Sequence, residues 1–193
     1  MTISKTHTIR RIICIILCFL AAMIFIYAQP STVKIPKTFT HYINEPEQSI
    51  KVSVMATKVE ITPKEELTYF WFSSNKVLFT KGGFDGYLLH GTFSSFYQNK
   101  NLKEKGNYKN GLREGKWMSW FENGQIKEIL HYRNGKKSGR YELYNELGLP
   151  MVKTNFKNDK LHGRMRTFSN NKLQSKQKFK NGNEIKKKEK KEK

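Results

Sequence analysis

The sequence predicts an all-β chain, an elongated and twisted antiparallel sheet of tandem 24-residue β-hairpin repeats preceded by one N-terminal transmembrane or signal helix. Three observations predict it. Glycines recur at 91, 115, 139 and 163, each twenty-four residues after the last, and self-similarity at such a period is the mark of a repeat architecture. Rings follow each glycine at fixed offsets: an aromatic or Met two residues on (Phe93, Trp117, Tyr141, Met165), an aromatic five on (Phe96, Trp120, Tyr144, Phe168), and a closing ring at Tyr108, Tyr132, Phe156 and Phe179. In the clearest copy, Gly115 to Gly135, the dipeptide Asn123-Gly124 stands between two alternating segments. Such a dipeptide suits a type I′ hairpin turn, which needs positive φ at both central residues.

The elements follow in order. Residues 1–28 form a signal-anchor or transmembrane segment: Lys5, Arg10 and Arg11 precede an uncharged run over residues 12–28, whose length lies between a short spanning helix and a long signal core. The bulky Ile26 two places before Ala28 disfavours cleavage there. Three Lys or Arg precede the run and two, Lys34 and Lys37, follow it, which orients the N-terminus to the cytoplasm and the C-terminal domain outside it, periplasmic or extracellular. Secretion after cleavage is the alternative.

Residues 29–65, with Pro30, Pro36, Pro46 and Pro63, read as linker and leading strands: a spacer first, then alternation at Ile50, Val52, Val54, Val59 and Ile61. Residues 66–186 hold about five hairpins, and residues 187–193 a Lys-rich tail expected to be disordered.

Centring the turn on Asn123 and Gly124 pairs Phe121 with Ile126, Trp117 with Leu130 and Gly115 with Tyr132, so that a ring packs over a bare glycine. One face then collects Trp117, Phe121, Ile126, Leu130 and Tyr132, with Phe93, Tyr97, Leu102 and Tyr108 before them. A degenerate first copy carries Tyr69, Trp71, Leu78 and Phe84 on the same face, with Leu67 in place of the glycine. The last copy loses one residue at its turn and thins to Met165, Leu173 and Phe179, as expected of a terminal repeat. The far face carries Phe72, Phe96, Trp120, Tyr144 and Phe168, interleaved with Lys103, Lys105, Lys116, Lys127 and Lys153.

These units resemble the variant MORN repeat of bacterial proteins, on the strength of GKWMSWFENGQIKEILHYRNGKKSG and of the Leu-His-Gly junctions at Leu89–Gly91 and Leu161–Gly163. The resemblance covers about residues 67–186. It implies a twisted antiparallel sheet and brings no catalytic residues. Relatives are associated with lipid attachment, with scaffolding and, in some bacteria, with an antitoxin or immunity label.

Chemistry is sparse. Lys and Arg number 36 against 16 Asp and Glu, a balance of +20 that argues against an enzyme pocket of low charge. Cys14 and Cys18 both lie in the first apolar run, which leaves no disulfide framework and no Cys-based zinc site in the rest. Asp85 and Asp159 fall at turns, His90 and His162 occupy one repeat position, and no phosphate-binding glycine loop precedes a helix. The expectation is therefore a protein without catalytic, cofactor or metal residues. It is read as an envelope scaffold or adaptor that docks a protein partner through Phe96, Trp120, Tyr144, Lys116 and Lys127. A toxin-neutralising protein is the alternative, and binding of anionic lipid or envelope polymer a further one; export disfavours nucleic acid.

Overall fold

The computed structural model describes residues 36–186; the expected membrane or signal segment and the Lys-rich tail lie outside the described residues. Two hairpins come first, β1 (Thr38–Glu45) with β2 (Gln48–Met55), and β3 (Thr68–Ser73) with β4 (Lys76–Lys81). The chain then meanders through β5 (Tyr87–Phe96), β6 (Leu102–Lys109), β7 (Leu112–Trp120), β8 (Ile126–Arg133), β9 (Lys136–Tyr144), β10 (Pro150–Lys157), the short β11 (Lys160–Leu161), β12 (Gly163–Ser169), β13 (Lys172–Lys180) and the short β14 (Asn183–Glu184). These strands make one long, open antiparallel sheet in the order β1-β2-β5-β6-β7-β8-β9-β10-β12-β13-β14. Among the described residues no helix is long and apolar enough to cross a membrane.

Two kinds of connection alternate along the meander. At one end lie two-residue turns with both residues at positive φ: Asn110-Gly111 (51°, 76°), Asn134-Gly135 (49°, 79°), Asn158-Asp159 (49°, 65°) and Asn181-Gly182 (51°, 91°). These are type I′ turns of tight hairpins, Asn-Gly in three cases and Asn-Asp in the fourth, and they join the units expected to be separate hairpins. Each also docks on the strand before, since the N–H of Gly111, Gly135, Asp159 and Gly182 donates to the carbonyl of Leu89, Arg113, Lys137 and Leu161 at 2.8–3.0 Å.

At the other end the expected two-residue turn at Asn123-Gly124 is corrected. Gly124 alone has positive φ (84°), its N–H donates to Phe121 O at 2.9 Å, and Phe121 N–H reaches Gln125 O at 2.8 Å. This is a three-residue loop closed by a bulge. Tyr97–Asn101 and Asn145–Leu149 repeat the pattern twenty-four residues either side. Asn123 instead serves as a side-chain anchor: its Oδ1 accepts from Gln125 N–H at 2.9 Å and its Nδ2 donates to Glu146 O at 2.9 Å. In the shortened last copy, as at Ser74-Asn75 (49°, 57°) of the β3–β4 hairpin, both turn residues, Asn170 and Asn171, take positive φ (47°, 62°).

The bulge moves the register beyond it. Ile126 pairs with Trp120 rather than Phe121, Leu102 with Phe96, Pro150 with Tyr144 and Leu173 with Phe168. Leu102, Ile126 and Leu173 therefore become the cross-strand mates of the far-face rings instead of core residues. Leu173, expected in the core, is 53% exposed.

The pairing of Gly115 with Tyr132 holds as read, with Gly91–Tyr108 and Gly139–Phe156 in the same register, and the structure adds Gly163 with Phe179. Their reason differs from the one expected. All four glycines have positive φ, between 70° and 108°, and a Cβ on Gly115 would meet nothing within 4 Å, so no ring lies over it. Each sits where the ladder to the preceding strand is interrupted, as between β6 and β7 at Lys105 and Asn107. A left-handed residue at a bulge is the place where only glycine is unstrained.

The largest correction concerns residues 38–81. The degenerate first copy does not join the array. The place beside β5 is taken by β2, paired as Ile50 with Ser95 and Val52 with Phe93, while β1, from the stretch expected to be a spacer, forms the edge. The β3–β4 hairpin touches β5 only at Trp71–Leu88 and Phe72–Tyr87 and is held over the sheet by Phe70 N–H donating to Gly111 O at 2.7 Å. Both faces of β3 are covered. Phe70, Phe72 and Val77 pack on a core of Ile43, Ile50, Val52, Val54, Leu89, Phe93, Tyr108 and Trp117. Tyr69 joins Met55, Leu67 and Leu88 on the other side, with Trp71, Val59 and Ile61 against them. Phe72, expected on the far face, stacks 4.3 Å from the His41 ring. The uninterrupted run Tyr69-Phe70-Trp71-Phe72 is what a strand buried on both faces needs.

Candidate functional site

Beside Phe70, Val77 and Phe79 of the β3–β4 hairpin the covered face of the sheet opens into a cleft of about 420 Å³. Phe70, Phe93 and Tyr108 form apolar walls, Phe79 of the hairpin borders it at 68% exposure, and Glu45, Lys103 and Lys127 stand among its charged lining. Alternation carries the polarity. On this face the row Ser95–Glu104–Ser119–Glu128 crosses β5 to β8, one row beyond Phe93 and Trp117.

Arg113 is the centre of this arrangement. It enters from the second residue of β7, directly after the Asn110-Gly111 turn, and its guanidinium lies 4.1 Å from the Trp117 ring centre, 5.3 Å from Phe70 and 5.5 Å from Tyr132. Its Nη1 donates to Glu104 Oε1 at 3.1 Å. Burial works against its charge, but Glu104, Tyr108 and Tyr132 more than offset this and hold its proton more firmly than usual. Burial pushes the Glu104 carboxyl above the usual carboxylate range, with Arg113 opposing. Burial likewise raises Tyr108 and Tyr132, and it raises Tyr141 to about 12, aided by Glu128. A guanidinium between rings with one carboxylate is a strong, orientation-dependent anchor. It had no signal in the sequence, because Arg113 and Glu104 meet only across the β6–β7 ladder.

The residues singled out from the sequence divide between the two faces. Trp120 and Lys127 both border the cleft: the Trp120 carbonyl accepts from Tyr97 Oη at 2.8 Å while the strand alternation after Ser119 places its side chain on the far face, and Lys127 Nζ lies 5.5 Å from the Phe121 ring. Lys127 comes here because it is the extra residue of the bulge, between the Ser119–Glu128 and Trp120–Ile126 pairs. Lys116 stands opposite His131 on the face away from the cleft and is exposed. Tyr144 is half-buried, its hydroxyl donating to Glu142 Oε2 at 2.5 Å, and this bond raises the phenol to about 12. Phe96 is half-buried beside Leu102.

The repeat-position histidine His90 uses Nδ1 to accept from the Asn110 N–H at 3.3 Å, tying the junction to the next turn, whereas His162 Nδ1 is buried without a hydrogen-bond partner among the described residues. Among the described residues no three His, Cys, Asp or Glu side chains group closely enough to share a metal ion.

A meander of 24-residue units, locked at one end by type I′ turns and at the other by bulged three-residue loops, defines a β-hairpin repeat protein. Residues 89–110 and 113–134, which span β5–β6 and β7–β8, match the family model described as MORN repeat variant. The comparison with curated proteins finds no match.

Proposed function

We propose that this chain is a non-catalytic adaptor, tethered to a membrane through residues 12–28, that docks a protein partner at the cleft. The observation that carries the reading is the meeting of Lys127 and the exposed Phe79 around an open cleft with buried aromatic walls, with Trp120 at its border. Aromatic side chains seated beside charged groups are what interfaces use as anchors, while rim lysines act on association rate and salt dependence. The cleft offers both signs of charge, Glu45 and Glu104 beside Lys103 and Lys127, which suits a polypeptide better than a uniformly charged ligand. The +20 balance of the chain would speed encounter with an acidic partner.

The test is capture from detergent-solubilised envelope with wild type and Trp120→Ala side by side. Recovery of the partner should fall at least about tenfold, the equivalent of about 1.4 kcal/mol, with little change in melting temperature. Replacement of Lys127 should weaken capture mainly at low salt. Unchanged recovery with Trp120→Ala, or a collapsed melting temperature, would return Trp120 to a structural role.

A further inference from the structure

We propose that the face of β9–β13 turned away from the cleft binds a linear phosphate polyanion through Arg140, Lys153, Arg164, Arg166, Lys176 and Lys178. The register brings them together. Lys153 stands opposite Arg166, Arg166 opposite Lys176, and Arg164 opposite Lys178. Such neighbours lie about 5 Å apart across strands and about 7 Å along them. Arg140, Lys153, Arg164 and Arg166 line a depression of about 540 Å³ together with Glu142 and Phe168.

Like charges directly opposite each other weaken a sheet, so these three pairs oppose the fold that holds them. The repeat supplies an internal control for whether the fold requires them. Going back one, two and three units, the position of Arg166 holds Glu142, Met118 and Ser94, that of Arg164 holds Arg140, Lys116 and Thr92, and that of Lys153 holds Ile129 and Lys105. The same backbone accepts acid, apolar and hydroxyl side chains at these sites. Protection of an open edge accounts for lysines on β13, since β14 covers only Phe179 and Lys180. It does not account for Lys153, Arg164 and Arg166, which lie on inner strands.

The cations are also available. Glu142, the carboxylate of this row, is already engaged by Arg140 Nε at 3.5 Å and by the Tyr144 hydroxyl. Among the described residues no ion pair engages Lys153, Arg164, Arg166, Lys176 or Lys178. Arginine forks match phosphate oxygens two at a time. A folded acidic partner would need central apolar anchors, and a membrane surface would need apolar side chains to insert; the depression supplies Phe168, half-buried. A chain with a charge on every unit needs only the concave row of cations.

This proposal is independent of the adaptor reading, because the surface is on the other face and the probe contains no protein. Labelled inorganic polyphosphate is titrated with the full-length chain in detergent and followed by fluorescence anisotropy; sedimentation with phosphatidylglycerol vesicles runs in parallel. Wild type should bind polyphosphate. Lys153→Gln with Arg166→Gln should weaken binding at least about tenfold and reduce the slope of log affinity against log salt by about 1.5, since each phosphate contact contributes about 0.7–0.9. The melting temperature of that variant should equal or exceed wild type as cross-strand repulsion is relieved. Lys51→Gln with Lys109→Gln, equal in charge change but elsewhere, should stay within about twofold. Equal losses in the two variants, no loss in the first, a fall in its melting temperature, or binding to vesicles without binding to polyphosphate would each overturn the proposal.

Discussion

The indole of Trp117 occupies the space above Gly106 on the neighbouring strand: a Cβ built on Gly106 would lie 2.2 Å from Trp117 Cδ2. The ring is 3% exposed, donates its Nε1–H to Asn107 O at 3.2 Å, and meets the Tyr108 ring edge-on at 4.9 Å between centres. One glycine thus determines where the largest core side chain rests. Gly106→Ala should cost about 1–3 kcal/mol by overpacking, read as a lowered urea midpoint with unchanged slope. Gly115→Ala, where space is open but φ is +70°, should cost about 1–2 kcal/mol through backbone strain alone. Rescue by shrinking Trp117 should be seen for the first variant and not for the second.

Trp117 and Lys127 belong to the same hairpin but not to the same energetic class. Trp117→Ala removes a buried side chain that touches Phe93, Tyr108 and Tyr132 and should cost about 3 kcal/mol or more. Lys127→Ala at the exposed bulge should cost under about 0.5 kcal/mol. Equal costs in chemical denaturation would contradict the packing described above.

The Glu104–Arg113 pair is expected to behave as a unit. Removing Glu104 alone leaves Arg113 among rings without its carboxylate and should cost about 3–5 kcal/mol, whereas Glu104→Leu with Arg113→Met should recover most of the loss. A double-mutant cycle with additive costs would refute the coupling.

The same carboxyl gives a pH dependence of definite sign. Its folded-state value is raised above the ordinary 4.5, chiefly by burial, so the folded state binds this proton more tightly than the unfolded chain. Its contribution to stability therefore improves as pH falls through the raised value toward 4.5 and is unfavourable above that window. Relative to Glu104→Gln, wild type should gain stability on acidification across this interval. A difference between the two that stays constant with pH would contradict it.

Asn171 holds a left-handed conformation (φ 62°) as the second residue of the β12–β13 turn, at the end of the meander where two preceding copies place Gly124 (84°) and Gly148 (75°) at positive φ. Asn171→Gly should raise stability by up to about 1 kcal/mol, because the αL penalty of a side chain is removed. A lowered melting temperature would show that the Asn171 side chain contributes more than its backbone strain costs.

The repeating local geometry follows from chemistry that acts over a few residues. The twenty-four-residue spacing, the pairing of each glycine with a closing ring and the shortened last turn are all consequences of period-2 alternation and of turn chemistry, which act over a few residues and are present in every copy. The tight turns have local signals too, in the dipeptides Asn110-Gly111 and Asn134-Gly135. Tertiary structure alone decided the rest. Whether Tyr69-Phe70-Trp71-Phe72 extends the array or folds over it depends on β2 competing for the edge of β5, a long-range pairing that no local pattern encodes. The bulge that turns Lys127 to the cleft, the Arg113 cage and the cation ladder of Lys153, Arg166 and Lys176 arise only when strands far apart in sequence are set side by side, since a one-residue shift in register sends a side chain to the opposite face.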